Sequence, residues 1–353
     1  MNADTLSSNT ATTLPSIDQA LPAIADFLNV QTRAERTQVR QATRLSGGAI
    51  QENWLLQVYQ EGGSKPGDNR WVLRTDAPSG VAVSMTRAQE FAVLRCAYAA
   101  GAKVPEPLML CSDLQVMGRE FFIMQALEGT AAGPQLTRDA SLDQQRPALC
   151  HELGVSLANL HRITPPHSQL GFLTAPSADH ALECIKTYRR YLDTLDDGFP
   201  VLEWGLRWCE LHRPQPIAPC LLHRDYRTGN YMVADGQLSG ILDWEFAGWG
   251  DPREDVGWFT ARCWRFAGPE REAGGVGALE DFLQGYNSVS ALSIDRPTLT
   301  YWQVMAHLRW AIIALQQAER YLSGGEDSLE LALTGRMLPE LEQEILLLTG
   351  ESR

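Results

Sequence analysis

The chain has 353 residues, 44% of them hydrophobic and 21% charged, with a formal net charge of −13 and an isoelectric point near 5.0. That is the make-up of a soluble globular protein, long enough to bury about three quarters of its unfolded surface in one or two domains. The acidic balance argues against a nucleic-acid binder, which carries a basic face, and no stretch reaches the roughly 18 apolar residues that a membrane span needs.

Residues 1–17 are rich in Ser, Thr and Asn and read as a disordered tail. Met1 to Thr10 has neither a basic n-region nor an apolar core, so it does not read as a signal peptide. Ile17 to Leu28 then has the spacing of a short helix. Strands are expected over Thr43–Val58 and Arg70–Thr75, flanking a loop, Glu61 to Asn69, built almost entirely of turn formers. Met85–Ala99 has helical spacing, and Pro105–Cys111 and Glu120–Met124 read as two further strands. After Gly129 the pattern becomes helical. Leu149, Leu153, Leu157 and Leu160 fall on one helix face, as do Tyr301, Met305, Leu308, Ile312 and Leu315, and again Met337, Leu341, Ile345 and Leu348. These stripes read as core packing. The division expected is a tail (1–17), a strand-rich lobe (18–128) and a mostly helical lobe (129–353). The seven cysteines are scattered without a Cys-x-x-Cys pair, which points to small buried hydrophobes in a reducing cytoplasm.

The chemistry is concentrated in Leu222-His223-Arg224-Asp225-Tyr226-Arg227-Thr228-Gly229-Asn230 and in Ile241-Leu242-Asp243-Trp244-Glu245. An Asp followed five residues later by Asn, with a second Asp eighteen residues after the first, is the spacing used in kinase-type phosphoryl transfer. That reaction needs a group to orient the attacking hydroxyl and cations to neutralise the triphosphate. Asp225 is the candidate for the first task. Asn230 and Asp243 offer the oxygen ligands that Mg²⁺ prefers. Between them, Tyr231–Val233 and Leu238–Leu242 flank Asp235-Gly236, a hairpin signal. This hairpin is the one piece of sheet expected in the helical lobe. His223 reads as a scaffold residue bonding backbone near the loop. Asp251-Pro252-Arg253-Glu254 has the form of a capped helix start.

The motifs resemble those of the aminoglycoside/choline kinase-type phosphotransferases. The resemblance extends over roughly residues 20 to 290 through Leu45-Ser46-Gly47-Gly48, Trp71-Val72-Leu73-Arg74, Arg119 to Met124, and Asp243 to Pro252. The wording Asp225-Tyr226-Arg227 and Asp243-Trp244-Glu245 is most similar to the kinase-like domains fused to some acyl-CoA dehydrogenases. The resemblance implies an α+β, two-lobed protein-kinase-like fold, with a small antiparallel-sheet N-lobe and a mostly helical C-lobe. It implies ATP and Mg²⁺ as cofactors and a small-molecule hydroxyl as acceptor. Gly47 and Gly48 would let backbone approach the phosphates, although the relatives carry Ser-Asn where Ile50-Gln51 stands here. Arg74 would hold the phosphates and Glu90 would hold Arg74. Met124 would back the adenine pocket, with Gln125 and Leu127 offering backbone groups to the base. Asp255 would tie its helix to the catalytic-loop backbone. Arg227 is open to three roles: neutralising charge during transfer, binding a substrate phosphate, or bracing the loop. A cluster of arginines from Arg189, Arg190, Arg262, Arg265 and Arg309 around the site would favour a hydroxyacyl-CoA acceptor. A ring of carboxylates would favour an aminoglycoside, with choline-like and sugar acceptors as further alternatives. The alternative of another class is a nucleotide-binding pseudokinase. Nothing in the pattern fixes an oligomeric state.

Overall fold

A computed structural model describes residues 14–45, 51–77 and 85–350. Gly47, Gly48 and Ile50, singled out above, lie outside the described residues, as does most of the expected tail. The chain forms two compact units, one of residues up to Phe91 together with Glu106–Ala126, the other of Ala92–Pro105 and Leu127 onward.

The first unit begins with α1 (Ile17–Thr32), which is longer than the Ile17–Leu28 expected. Ser16 and Gln19 form a reciprocal capping box at its start. Next come β1 (Arg36–Arg44), β2 (Gln51–Glu61), β3 (Gly67–Asp76), α2 (Arg87–Ala99), whose residues from Ala92 belong to the second unit, β4 (Pro107–Cys111), α3 (Leu114–Met117) and β5 (Phe121–Gln125). The strands make one antiparallel sheet in the order β1-β2-β3-β5-β4. Alternation gives the sheet two faces. Leu56, Val58, Trp71, Leu73, Phe121 and Ile123 pack under Ile17, Ile24 and Leu28 of α1. Val72 and Arg74 point the other way, opposite Met124 and Phe122 in the β3–β5 register.

The second unit holds α4 (Gly133–Arg138), α5 (Arg146–Leu160), α6 (His180–Leu192), α7 (Pro200–Leu211), β6 (Cys220–Leu222), β7 (Tyr231–Ala234), β8 (Gln237–Ile241), β9 (Gly248–Gly250), α8 (Pro252–Thr260), α9 (Leu279–Val289), α10 (Arg296–Leu322), α11 (Leu329–Thr334) and α12 (Leu338–Thr349). The three stripes fall on α5, α10 and α12, except that Met337 lies just before α12. The α10 stripe packs with α6, α7 and α12 into one core that includes Leu202, Leu206, Tyr301, Met305, Leu308, Leu341 and Ile345. Gly154 lets α5 approach α9, since a Cβ there would lie 2.1 Å from the Phe282 carbonyl oxygen.

The β7–β8 hairpin forms where Asp235-Gly236 indicated, both residues taking positive φ (49° and 77°). It is joined by a second two-stranded sheet, β6–β9, in register Leu222↔Gly248. The expectation of a single hairpin in this region is therefore corrected. Three-residue strands carry no alternation for a sequence reading to detect. No helix among the described residues is long and apolar enough to cross a membrane.

Candidate active site

β6 delivers the chain into the loop His223–Asn230, and α8 holds that loop from behind. Asp255, 0% exposed, accepts the His223 N–H on Oδ2 (2.7 Å) and the Arg224 N–H on Oδ1 (2.8 Å). His161 Nε2 lies 3.2 Å from Asp255 Oδ2, and Tyr286 holds the other ring nitrogen of His161 at 2.8 Å. Two consecutive amides can share one carboxylate because Arg224 takes φ 63°. His223 braces the loop from within: Nδ1 accepts the Asp225 N–H (3.2 Å) and Nε2–H donates to the Leu242 carbonyl (2.8 Å). Those two bonds assign its tautomer.

Asp225 is surrounded by donors. Trp258 Nε1–H and Arg227 Nε–H both donate to Oδ1, at 3.0 and 3.1 Å. Asn230 Nδ2–H donates to Oδ2 at 2.5 Å and to the Asp225 carbonyl at 2.9 Å. The Arg227 guanidinium lies 4.7 Å from the Trp264 ring centre. Gly229 takes φ 110°, and a Cβ there would come within 2.8 Å of Arg227 Nη1. Only glycine leaves the loop this shape.

With its amide nitrogen facing a carboxylate that can only accept, Asn230 must direct Oδ1 elsewhere. The Leu242 N–H donates to the Asn230 carbonyl at 2.7 Å, so the residue before Asp243 is stitched to Asn230. Asp243 itself takes φ 67°, a left-handed conformation that costs an aspartate about 1–3 kcal/mol and collects at functional sites. Asn230 Oδ1 and the Asp243 carboxylate are hard oxygen donors, the set a hard divalent cation takes.

A second charged cluster lies on α6, α8 and α10. His180, Cys184 and Glu254 bring possible ligand atoms within 4.8 Å of one another. Glu254 is already paired with His180 and with Arg309 (3.5 Å). Burial acts to raise the Glu254 carboxyl, but those cations hold it down at about 2. The group is therefore a buried ion-pair cluster whose anion is satisfied.

In the first unit, Arg74 Nε lies 2.9 Å from Glu90 Oε1, both side chains buried. Arg87 takes the other carboxylate oxygen of Glu90, and Asn53 Oδ1 accepts from Arg74 at 3.4 Å. Met124 lies on the same sheet face as Arg74. The Gln125 N–H already donates to the Glu106 carbonyl (2.9 Å), so that donor is engaged within the sheet. Leu127 opens the second unit. Of the arginines named as markers of an anionic acceptor, Arg189 pairs with Glu203 and Glu210, and Arg190 with Glu183. Arg265 donates to the Thr260 and Pro269 carbonyls. Arg309 reaches the loop His223–Asn230, donating to the Arg224 carbonyl.

Trp258 belongs to the site and carries no motif. The signal was its place one helical turn after Asp255, on the same face of α8.

An antiparallel five-stranded unit and a mostly helical unit carrying this loop define a kinase-like fold. Residues 41–292 match the model of the phosphotransferase enzyme family, and the chain belongs to that family. Acyl-CoA dehydrogenase family member 11 of Pongo abelii is 25% identical over 325 residues, covering 85% of this chain and 41% of that protein. Its Gallus gallus counterpart is 26% identical, covering 82% and 40%. The chain thus spans about two fifths of the length of these relatives. Among solved structures, a Ralstonia eutropha protein with a provisional assignment as an aminoglycoside phosphotransferase superposes with a TM-score of 0.74 at 19% identity, covering 94% of this chain and 98% of that one. Spectinomycin phosphotransferase in complex with ADP and spectinomycin gives 0.60 at 13%, covering 93% and 98%.

Proposed function

We propose that this phosphotransferase moves the γ-phosphate of Mg-ATP to the hydroxyl of a small molecule. The observation that carries the reading is the donor shell of Asp225, in which Trp258, Arg227 and Asn230 hold the carboxylate in one orientation. Asp225 orients the acceptor hydroxyl and takes its proton. Asn230 and Asp243 hold Mg²⁺, which when bound neutralises charge on the phosphates. Arg74, clamped by Glu90, grips the nucleotide phosphates with a planar fork of donors. Arg227 both braces Asp225 and supplies a cation for charge developing in the transfer. Met124, Gln125 and Leu127 serve the adenine, and Gly47 and Gly48 the phosphates. ATP use is supported by fold neighbours solved with AMP-PNP and hygromycin B and with ADP. Such an enzyme belongs in the cytoplasm, where ATP is made.

The acceptor we favour is a hydroxyacyl-CoA. Support comes from the relatives, which are named acyl-CoA dehydrogenase family members, and from the Arg227 guanidinium beside Asp225. The test is Mg-ATP consumption by the purified protein against hydroxyacyl-CoAs, aminoglycosides, amino alcohols and sugars. Stimulation by hydroxyacyl-CoAs alone supports the acceptor. Stimulation by an aminoglycoside, choline or a sugar replaces it. Nucleotide binding with no stimulation by any acceptor supports the pseudokinase reading.

A further inference from the structure

The tryptophan against Asp225 has a specific geometric consequence. An ionised carboxylate offers about four acceptor positions. Oδ1 receives two donors, Trp258 Nε1 and Arg227 Nε, and Oδ2 receives one, Asn230 Nδ2. The acceptor position that remains is on Oδ2.

We infer that Trp258 is a positioning residue for the transfer, its indole N–H fixing the rotation of the Asp225 carboxylate so that Oδ2 is left to take the acceptor's hydroxyl proton. The inference rests on the reading of Asp225 as the proton acceptor. The indole is itself held. It is 2% exposed, packs 5.0 Å from the Trp264 ring, and carries the Arg309 guanidinium 4.5 Å from its ring centre. Arg309 also donates to the Arg224 carbonyl and pairs with Glu254 at 3.5 Å. One cation from α10 therefore ties the ring that orients the carboxylate to the loop that carries it.

A tryptophan serving only as core would be replaced by phenylalanine with a change in stability alone. A positioning tryptophan loses its function with the N–H. The experiment compares Trp258→Phe with 3-benzothienylalanine at position 258, which keeps the bicyclic shape and removes the donor, so a fold defect in the first leaves the second to decide. Mg-ATP hydrolysis with water as acceptor is the rate measured, and Asp225→Asn runs in parallel. Loss of a hydrogen bond to a charged group corresponds to a fall in kcat on the order of ten- to a hundredfold, with the KM for Mg-ATP within about twofold of wild type. Indole ¹⁵N–¹H spectra of the full chain give a readout that needs no activity: the Trp258 resonance, assigned by its loss in Trp258→Phe, moves upfield in Asp225→Asn. Wild-type kcat in the benzothienyl variant, or an unmoved indole resonance, overturns the inference. Wild-type hydrolysis by Asp225→Asn overturns the reading of Asp225 instead, and the spectrum still reports whether the indole bonds to it.

Discussion

Asp255 binds the backbone N–H groups of His223 and Arg224 with its two carboxylate oxygens, at 2.7 and 2.8 Å. A helix residue thereby fixes the start of a loop that ends at Asn230, one of the two candidate metal ligands.

Replacing Asp255 by Asn turns one acceptor into an NH₂ group facing a backbone N–H, inside a fully buried site. About 3 kcal/mol of stability is expected to be lost, and turnover should fall further than stability explains at a temperature where the variant is folded. Urea melts and initial rates on the same preparation check both. Wild-type turnover in a destabilised but folded variant would mean that the loop holds its shape without Asp255.

Glu90 is shared by two buried guanidiniums, Arg74 and Arg87. Glu90→Gln removes the anion that Arg74 and Arg87 share while Asp76 stays 3.0 Å from Arg87 Nε, and about 3 kcal/mol of stability is expected to be lost. The KM for ATP should rise as Arg74 loses its clamp. An unchanged KM in a destabilised variant would reduce Glu90 to a structural role.

How much of this was legible in the sequence depends on the range of the interaction. Asp225, Asn230 and Asp243 stand at fixed spacing because one loop and one hairpin connect them, and the hairpin announces itself through Asp235-Gly236. Arg74 lies sixteen residues before Glu90, and the pair was readable only through the family's order. The start of β1 was missed because Arg36–Arg44 is a polar edge strand with Val39 as its lone large aliphatic residue. The β6–β9 pair was missed because each strand has three residues. Arg309 reaches the loop from 85 residues downstream, through tertiary packing that leaves no local trace, whereas Trp258, 33 residues after Asp225, is marked only by its place one turn after Asp255.

Two histidines give stability opposite pH dependences. Burial is the largest single influence on His180 and acts to lower it, but the facing Glu254 carboxylate and the bonds to Cys184 and Glu254 together outweigh it and carry it to about 10. Its contribution is complete below pH 6.5 and is lost as pH rises toward 10. Burial lowers His307 to about 4, against the bond it donates to the Gln303 carbonyl and with Arg262 and Arg265 adding to the drop. The native state therefore resists protonation that the unfolded chain accepts, and stability should fall by about 3 kcal/mol as pH drops from 6.5 to 4. Urea melts at pH 4.5, 6.5 and 9.5 should show a maximum near the middle. His307→Gln should flatten the acid side and His180→Gln the alkaline side. A variant that leaves its side of the profile unchanged would remove that histidine as the cause.

The proposed division of labour gives the acceptor's proton to Asp225 and Mg-ATP to other residues. The measurement is [γ-³²P]ATP turnover and Mg-ATP affinity for wild type and Asp225→Asn, with the best acceptor from the panel. Near wild-type affinity and a turnover lower by about 10²–10⁴ are expected. Wild-type turnover in Asp225→Asn would contradict that division.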